Sequence, residues 1–416
     1  MKMWIKLGFR NLWKNRRRSL FTIAAISFGF AAVNLLGGFT HYVFRGLEDS
    51  YVYAYGNGHM SIFKQGYLKE GALDPTSYLL DASTLRTIIK RCDEDARIVV
   101  ATPQLNINGL VSNGNSSSIM IAEGRVPEDA QLIRSHGHGF IGKLKMFRGA
   151  ELSSGDEGGV GMTTGLGEKL GLGLDSNAIV MAATVDGFMN ALDANVVQVL
   201  DAPMDILDDM LMAVPLSFAQ DLYETQSADR INVLLSDPDD KDRVMAELAR
   251  DLQQAGLSVE IHPWDELRPS YLRIKNMFDV IFSFVFAIVL IIVFLSIVNT
   301  VGMAVLERTR EIGTLRSLGC KRHDVIAMFA TEAGLLALFG SILGAMVTFA
   351  CWAYVTWSQP TWTPPNIPKE VPLEIHLVPW LFVASLCCLM ILASTAALVP
   401  ARRAARMNII DALGHT

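Results

Sequence analysis

Four stretches of this chain, residues 20–44, 280–306, 333–368 and 377–401, contain no Asp, Glu, Lys or Arg. Each holds enough apolar residues to supply the roughly 20 that a helix needs to cross a bilayer. The second half of the third run, SQPTWTPPNIP at 358–368, is too rich in proline to be helical, which places that helix at 325–357. Four transmembrane helices therefore follow, at 20–44, 280–306, 325–357 and 377–401. The first run is 25 residues long and no small-residue cleavage site follows it, so it reads as an anchor and not as a signal peptide.

Charge sets the orientation. Residues 1–19 carry seven Lys or Arg and no acid, 307–324 carry five basic residues and three acidic, and 402–416 carry three and one. Residues 45–279 carry 20 basic and 35 acidic residues, a net charge of −15. Short basic segments stay inside and the long acidic one is translocated. The expected layout is a cytoplasmic amphipathic segment (1–19), a large outer domain (45–279), a cytoplasmic segment (307–324), a Pro-rich outer loop (358–376) and a cytoplasmic tail (402–416). In 1–19, Trp4, Ile5, Phe9, Leu12 and Trp13 share one face opposite Lys and Arg, as in a helix lying on the inner leaflet. The acidic outer domain gives nucleic-acid binding no support.

Of five cysteines only Cys92 lies in the outer domain, so no intramolecular disulfide framework can hold it together. Its sequence interleaves candidate strands at 59–63, 97–105, 116–124, 178–185, 195–200 and 230–236 with candidate helices at 77–92 and 240–256. That pattern predicts an α+β domain inserted between the first and second spans. Helical spacing continues past the membrane through Phe44, Leu47 and Tyr51, and returns through Leu267, Tyr271, Ile274 and Phe278, predicting stalk helices at both ends of the domain.

Catalytic chemistry finds little footing. The Gly-rich stretch GVGMTTGLGEKLGLGLDS at 159–176 lacks the GxxxxGK[ST] string of a phosphate loop and the GxGxxG spacing of a dinucleotide fold. It reads as a short Gly-capped helix and a turn into a strand. His136 and His138 stand two apart with no third ligand nearby, which fits solvated loop residues better than a metal site. The Ser-rich NGNSSS at 113–118 has no GxSxG elbow.

The segment ERTREIGTLRSLGCKRHDVIAMF at 307–329 is both charged and apolar. Ile312, Leu315 and Leu318 recur at i, i+3 and i+6, flanked by Arg310, Glu311 and Arg316, so a helix here could bury a ridge in a partner's groove while its charges fix register. Gly319 is expected to end that helix and Asp324 to cap the next. In the third span, Gly340 and Gly344, with Ala337 and Ser341, make a small-xxx-small face for close helix approach. Glu332 is costly in the bilayer and should snorkel or pair inward.

This layout resembles the MacB, FtsX and LolC/LolE superfamily of ABC-transporter permeases, the type VII mechanotransmission class. The segment at 307–329 resembles the one after the second span in that family, and VPARRAARMNIIDAL at 399–413 resembles its C-terminal signature. GNGHMSIFKQGYL at 56–68 looks more like the LolC/LolE branch. The resemblance implies that 307–324 is a coupling helix docking on a cytoplasmic ATPase dimer. It also implies a non-catalytic chain that binds no cofactor itself, with ATP and Mg held by the ATPase. Nineteen residues before the first span could not hold that ATPase, so a separate polypeptide is expected. Further expected partners are a second copy or sister permease, a periplasmic chaperone or adaptor, and membrane lipid. The implied setting is a bacterial inner membrane with both termini cytoplasmic. The implied activity is lipoprotein release from that membrane, with MacB-like efflux of peptides or drugs, or FtsX-like signalling to a cell-wall hydrolase, as alternatives.

Overall fold

The computed structural model describes residues 16–71, 74–138, 140, 145–155, 158–202, 207–364 and 369–407. The amphipathic face expected at Trp4 to Trp13 and the end of the C-terminal signature lie outside these residues. The chain divides into two units: 1–43, 274–360 and 373–416 form one, and 44–273 with 361–372 form the other.

The first unit is helical. Its long elements are α1 (Arg16–Asp49), α2 (Pro269–Glu307), α4 (Arg322–Ser358) and α5 (Pro379–Arg406), with the short α3 (Thr309–Ser317) between α2 and α4. All four long helices are long and apolar enough to cross a membrane. At 1.5 Å per residue, the 39 residues of α2 measure about 58 Å, nearly twice a hydrocarbon core. Helical spacing thus carries α2 through Arg273, Lys275 and Asp279, ahead of the apolar run at 280. Phe39 of α1 lies 6.5 Å from Phe278 of α2.

Small residues set how close these helices come. A Cβ on Gly340 of α4 would sit 2.6 Å from the Ile26 Cβ, and one on Gly344 would sit 2.8 Å from the Phe30 Cβ. The small face of α4 is therefore filled by α1, and a methyl at either glycine would push the two apart. The shared core runs through Ile26, Phe30, Val293, Ile297, Phe329, Leu336 and Leu389. Polar links cross it as well: the Thr22 and Thr300 hydroxyls meet at 2.5 Å, and Asn34 Nδ2 donates to Ser385 Oγ at 3.0 Å. Such bonds contribute about 0.6 to 2 kcal/mol each inside a bilayer.

The second unit holds a ten-stranded mixed sheet: β1 (Met60–Lys64), β2 (Ile98–Ser112), β3 (Ser117–Arg125), β4 (Phe147–Gly149), β5 (Gly159–Thr163), β6 (Asn177–Ala183), β7 (Met189–Leu200), β8 (Leu211–Pro215), β9 (Arg230–Leu235) and β10 (Val259–Pro263). The order is β10-β1-β9-β2-β3-β8-β5-β7-β4, with β6 bridging β2 and β7. Pairs β3/β8 and β5/β7 are parallel and the rest antiparallel. One core lies around Leu105, Ile107, Met120, Val160 and Val196, and another around Ile62, Ile88, Ile231, Val233 and Leu252.

Several local expectations change. The strands β4, β5, β8 and β10 were not read from the sequence. β5 is buried along its length between β7 and β8, and the packing is close enough that a Cβ at Gly161 would press on Gln198 at 3.1 Å. The helix expected at 77–92 starts at Ala82, because the Asp81 carboxylate accepts from the Ser83 and Thr84 amides at 2.9 and 3.0 Å and caps it there. The glycine-rich stretch does contain a helix, Thr164–Leu170, which stops at Gly171 with φ of 64°. Part of the loop expected at 358–376 groups with the sheet unit: Thr361 and Trp362 pair with Val371 and Pro372, and Lys369 Nζ meets Asp201 at 2.6 Å.

Candidate coupling site

The segment singled out for its charges folds as a break, a helix and a second break. Arg308, with φ −114° and ψ 19°, interrupts the helical path at the end of α2. Its position at the corner frees the long side chain to reach α4, where Arg308 Nη1 donates to Glu332 Oε2 at 3.3 Å. The side chains are 5 and 8 % exposed. Glu332 thus pairs inward and does not snorkel. α3 follows for nine residues and ends near Gly319, whose φ of 98° favours glycine. Asp324 is not the cap itself. Three residues into the turn, it accepts from the Lys321 amide at 3.0 Å, reaching back as the acid of a capping box does.

α3 presents two faces. Thr309, Ile312, Gly313 and Arg316, spaced i, i+3, i+4 and i+7, point into the unit. Ile312 is 2 % exposed and belongs to the helical core, and Arg316 Nη1 donates to the Met407 carbonyl at 2.5 Å. Glu311, Thr314, Leu315 and Leu318 repeat the same spacing on the opposite side and are exposed, Leu318 to 80 % and Leu315 to 38 %. Arg310 is exposed as well. The expected ridge of Ile312, Leu315 and Leu318 is therefore corrected. A step of three residues turns a helix by about 300°, so Ile312 and Leu318 drift onto different sides. Ile312 is consumed by this chain's own packing, and Leu318 follows the last helical residue.

Sequence reasoning missed Arg308 as the partner of Glu332. A lone acid in an apolar helix demands a cation, yet five basic residues lie within 307–324 and no spacing rule selects among them across a helix break. The link between Arg18 and Glu307, 3.1 Å at a partly exposed site, was missed for the same reason. His136, weighed earlier as a metal fragment, lies within 2.9 Å of the Leu132 carbonyl through Nδ1.

Residues 19–251 match the MacB-like periplasmic core domain family, and residues 283–409 match the FtsX-like permease C-terminal family. The chain belongs to the MacB/FtsX superfamily of ABC-transporter permeases. It is a four-span membrane protein whose sheet unit is the periplasmic domain of that family, and its kind works with an ATPase. Among its relatives, the macrolide export ATP-binding/permease protein MacB of Chromobacterium violaceum is 28 % identical over 155 residues, 36 % of this chain and 22 % of that protein. The pyoverdine export ATP-binding/permease protein PvdT of Pseudomonas syringae pv. tomato is 24 % identical over 213 residues, 50 % of this chain and 30 % of that one. An ABC transporter permease of Methanocaldococcus jannaschii is 29 % identical over 119 residues, 28 % of this chain and 30 % of that one. The chain thus spans less than a third of the length of these curated relatives. Among solved structures, the periplasmic region of MacB from Actinobacillus actinomycetemcomitans aligns with a TM-score of 0.38 and 14 % identity, over 54 % of this chain and 94 % of that one.

Proposed function

We propose that this chain is a motion-transmitting permease of an inner-membrane ABC exporter, driven by a separate ATPase dimer that docks on the outward face of α3. ATP and Mg belong to that ATPase, and both termini lie in the cytoplasm, where the basic segments favour them. A paired ATPase needs two docking helices, so the assembly carries two permeases, identical or sister chains.

The observation that carries this reading is the division of α3. Its inner face is tied to the bundle by Ile312, by Arg316 on Met407 and by the adjoining Arg308–Glu332 pair. Its outer face leaves Leu315 and Leu318 exposed between Arg310 and Glu311 and the closing turn. A helix held rigidly on one side and open on the other conveys a partner's displacement to the bundle.

Export is favoured over lipoprotein release. The relatives bear the names of a macrolide and a pyoverdine exporter. The LolC/LolE-like segment at 56–68 has a structural account here: a Cβ on Gly58 would meet the Val233 carbonyl at 2.6 Å, and His59 is buried between Tyr53 and the Leu235 amide. A periplasmic adaptor would then receive the cargo.

Leu315→Asp puts a charge on the docking face and should reduce ATPase co-purification at least tenfold, since burying an unpaired charge costs several kcal/mol. Retention of ATPase at the wild-type ratio, with the bundle folded, would remove α3 as the docking element.

A further inference from the structure

The periplasmic domain contains a cavity of about 110 Å³ beneath the end of β7 and beside β8, where Ala54, Tyr55, Ala130, Phe147, Leu200 and Met212 contribute to the wall. Most of the lining is apolar, but four charged side chains line it: Glu123, Arg125, Arg134 and Asp201. Glu123 is held by Arg125 at 2.6 Å. Burial pushes its carboxyl up, yet Arg125, Arg268 and Arg230 outweigh that and keep it below the usual range. Asp201 is held by Lys369 at 2.6 Å. Both acids are thereby neutralised.

The remaining charge is Arg134. Among the described residues its guanidinium makes no hydrogen bond or ion pair; it lies 5.6 Å from the centre of the Phe147 ring. Burial pushes its pKa down, opposed by Glu151, which contacts Lys145 at 3.9 Å instead. The buried Tyr55 hydroxyl likewise finds no partner. Two donors are thus left open on an apolar cavity whose other charges cancel. The Tyr55 hydroxyl is desolvated without an acceptor, which is unfavourable, and the half-buried Arg134 beside it has no protein acceptor among the described residues, so an acceptor brought by a ligand would satisfy both. The aromatic ring beside the guanidinium supplies a flat wall for an apolar group.

We propose that this cavity binds a small apolar group bearing a carboxylate, with the anion on Arg134 and Tyr55 and the apolar part against Phe147, Leu200 and Met212. At about 110 Å³ the cavity is smaller than the roughly 150 Å³ one that accommodates benzene, so it encloses a short alkyl chain or the edge of one ring and leaves the rest of the ligand outside. A free carboxylic acid and the C-terminal residue of a peptide present the same chemistry.

The test is saturation-transfer NMR on the full chain in nanodiscs, with empty nanodiscs subtracted, using 3-phenylpropionate, 3-phenylpropan-1-ol and 3-phenylpropylamine as probes. N-acetyl-Gly-Phe and its C-terminal amide form a second arm. The carboxylate should bind saturably in the millimolar range and about tenfold tighter than the alcohol, with the amine weakest. Arg134→Gln should abolish the preference for acid over alcohol, and Arg134→Lys should retain it in part. Binding of phenylpropionate alone assigns the site to free acids, and binding of the acid peptide but not its amide assigns it to chain ends. Absence of saturable binding by either acid, equal binding of acid and alcohol to the wild type, or an unchanged preference in a folded Arg134→Gln overturns the proposal. The wild-type ranking decides the matter even if the variants fail to fold.

Discussion

Arg308 in the bundle is buried and Arg134 in the periplasmic domain is half-buried, and the protein treats the two cations in opposite ways. Arg308 has a carboxylate 3.3 Å away and almost no exposure. Arg134 has an aromatic face and no acid within ion-pair reach among the described residues. A buried cation with its counter-ion fastens two elements, here the α2–α3 corner to α4. One without a counter-ion is a place where the chain tolerates cost locally, which is typical of sites that meet something else. The comparison predicts that disturbing the first damages the fold and disturbing the second does not.

The largest effect should come from Glu332→Ala, which strands Arg308 in the bundle and should cost about 3 to 5 kcal/mol in thermal unfolding of the detergent-purified chain. Arg308→Met with Glu332→Leu removes both charges and should recover most of that loss. If the double variant is as unstable as the single one, the pair is not the fastening. A third buried group, His59, takes another route and stays neutral. The Leu235 amide donates to Nδ1 at 3.1 Å, so the ring proton sits on Nε2 beside the Tyr53 hydroxyl. Burial, helped by Lys241, His138 and Arg45, lowers its pKa from 6.5 to about 4. The unfolded chain therefore takes up the proton first as pH falls. Stability from this residue is complete above about pH 6.5 and drains away toward pH 4, by up to about 3 kcal/mol. Unfolding followed at Trp264 should show that slope in the wild type and a flatter one in His59→Gln; equal slopes would assign the acid sensitivity elsewhere. Smallest of all, Arg134→Gln should shift stability by less than about 1 kcal/mol, toward greater stability. A loss comparable to that of Glu332→Ala would make Arg134 structural and dissolve the contrast.

What the sequence discloses follows the range of the forces involved. The four spans are legible because a bilayer imposes one requirement on about 20 consecutive residues. Gly340 and Gly344 are legible as a small face, but that α1 fills it depends on Ile26 and Phe30, more than 300 residues away in the chain. α3 is legible as an amphipathic helix. Its two faces are not, because over nine residues a ridge through Ile312 and one through Leu315 differ by less than a turn. Only contacts with Phe329-side packing and Met407 separate them. β5 and β8 were illegible because five residues with glycines or a terminal proline carry no alternation, and their pairing comes from β7 and β3. Arg134 gave no signal at all, since its meaning lies in which acids are already taken.

The division of α3 is tested most directly by measuring ATPase co-purification and ATP-driven transport together in reconstituted Leu315→Asp and Glu332→Gln. Glu332→Gln keeps volume and an acceptor for Arg308 but loosens the attachment of α3 to α4. The account predicts that Leu315→Asp loses the ATPase, whereas Glu332→Gln keeps it at the wild-type ratio, hydrolyses ATP and transports at a small fraction of the wild-type yield per ATP. If Glu332→Gln transports with full yield, or if it sheds the ATPase as Leu315→Asp does, the two faces do not divide docking from transmission.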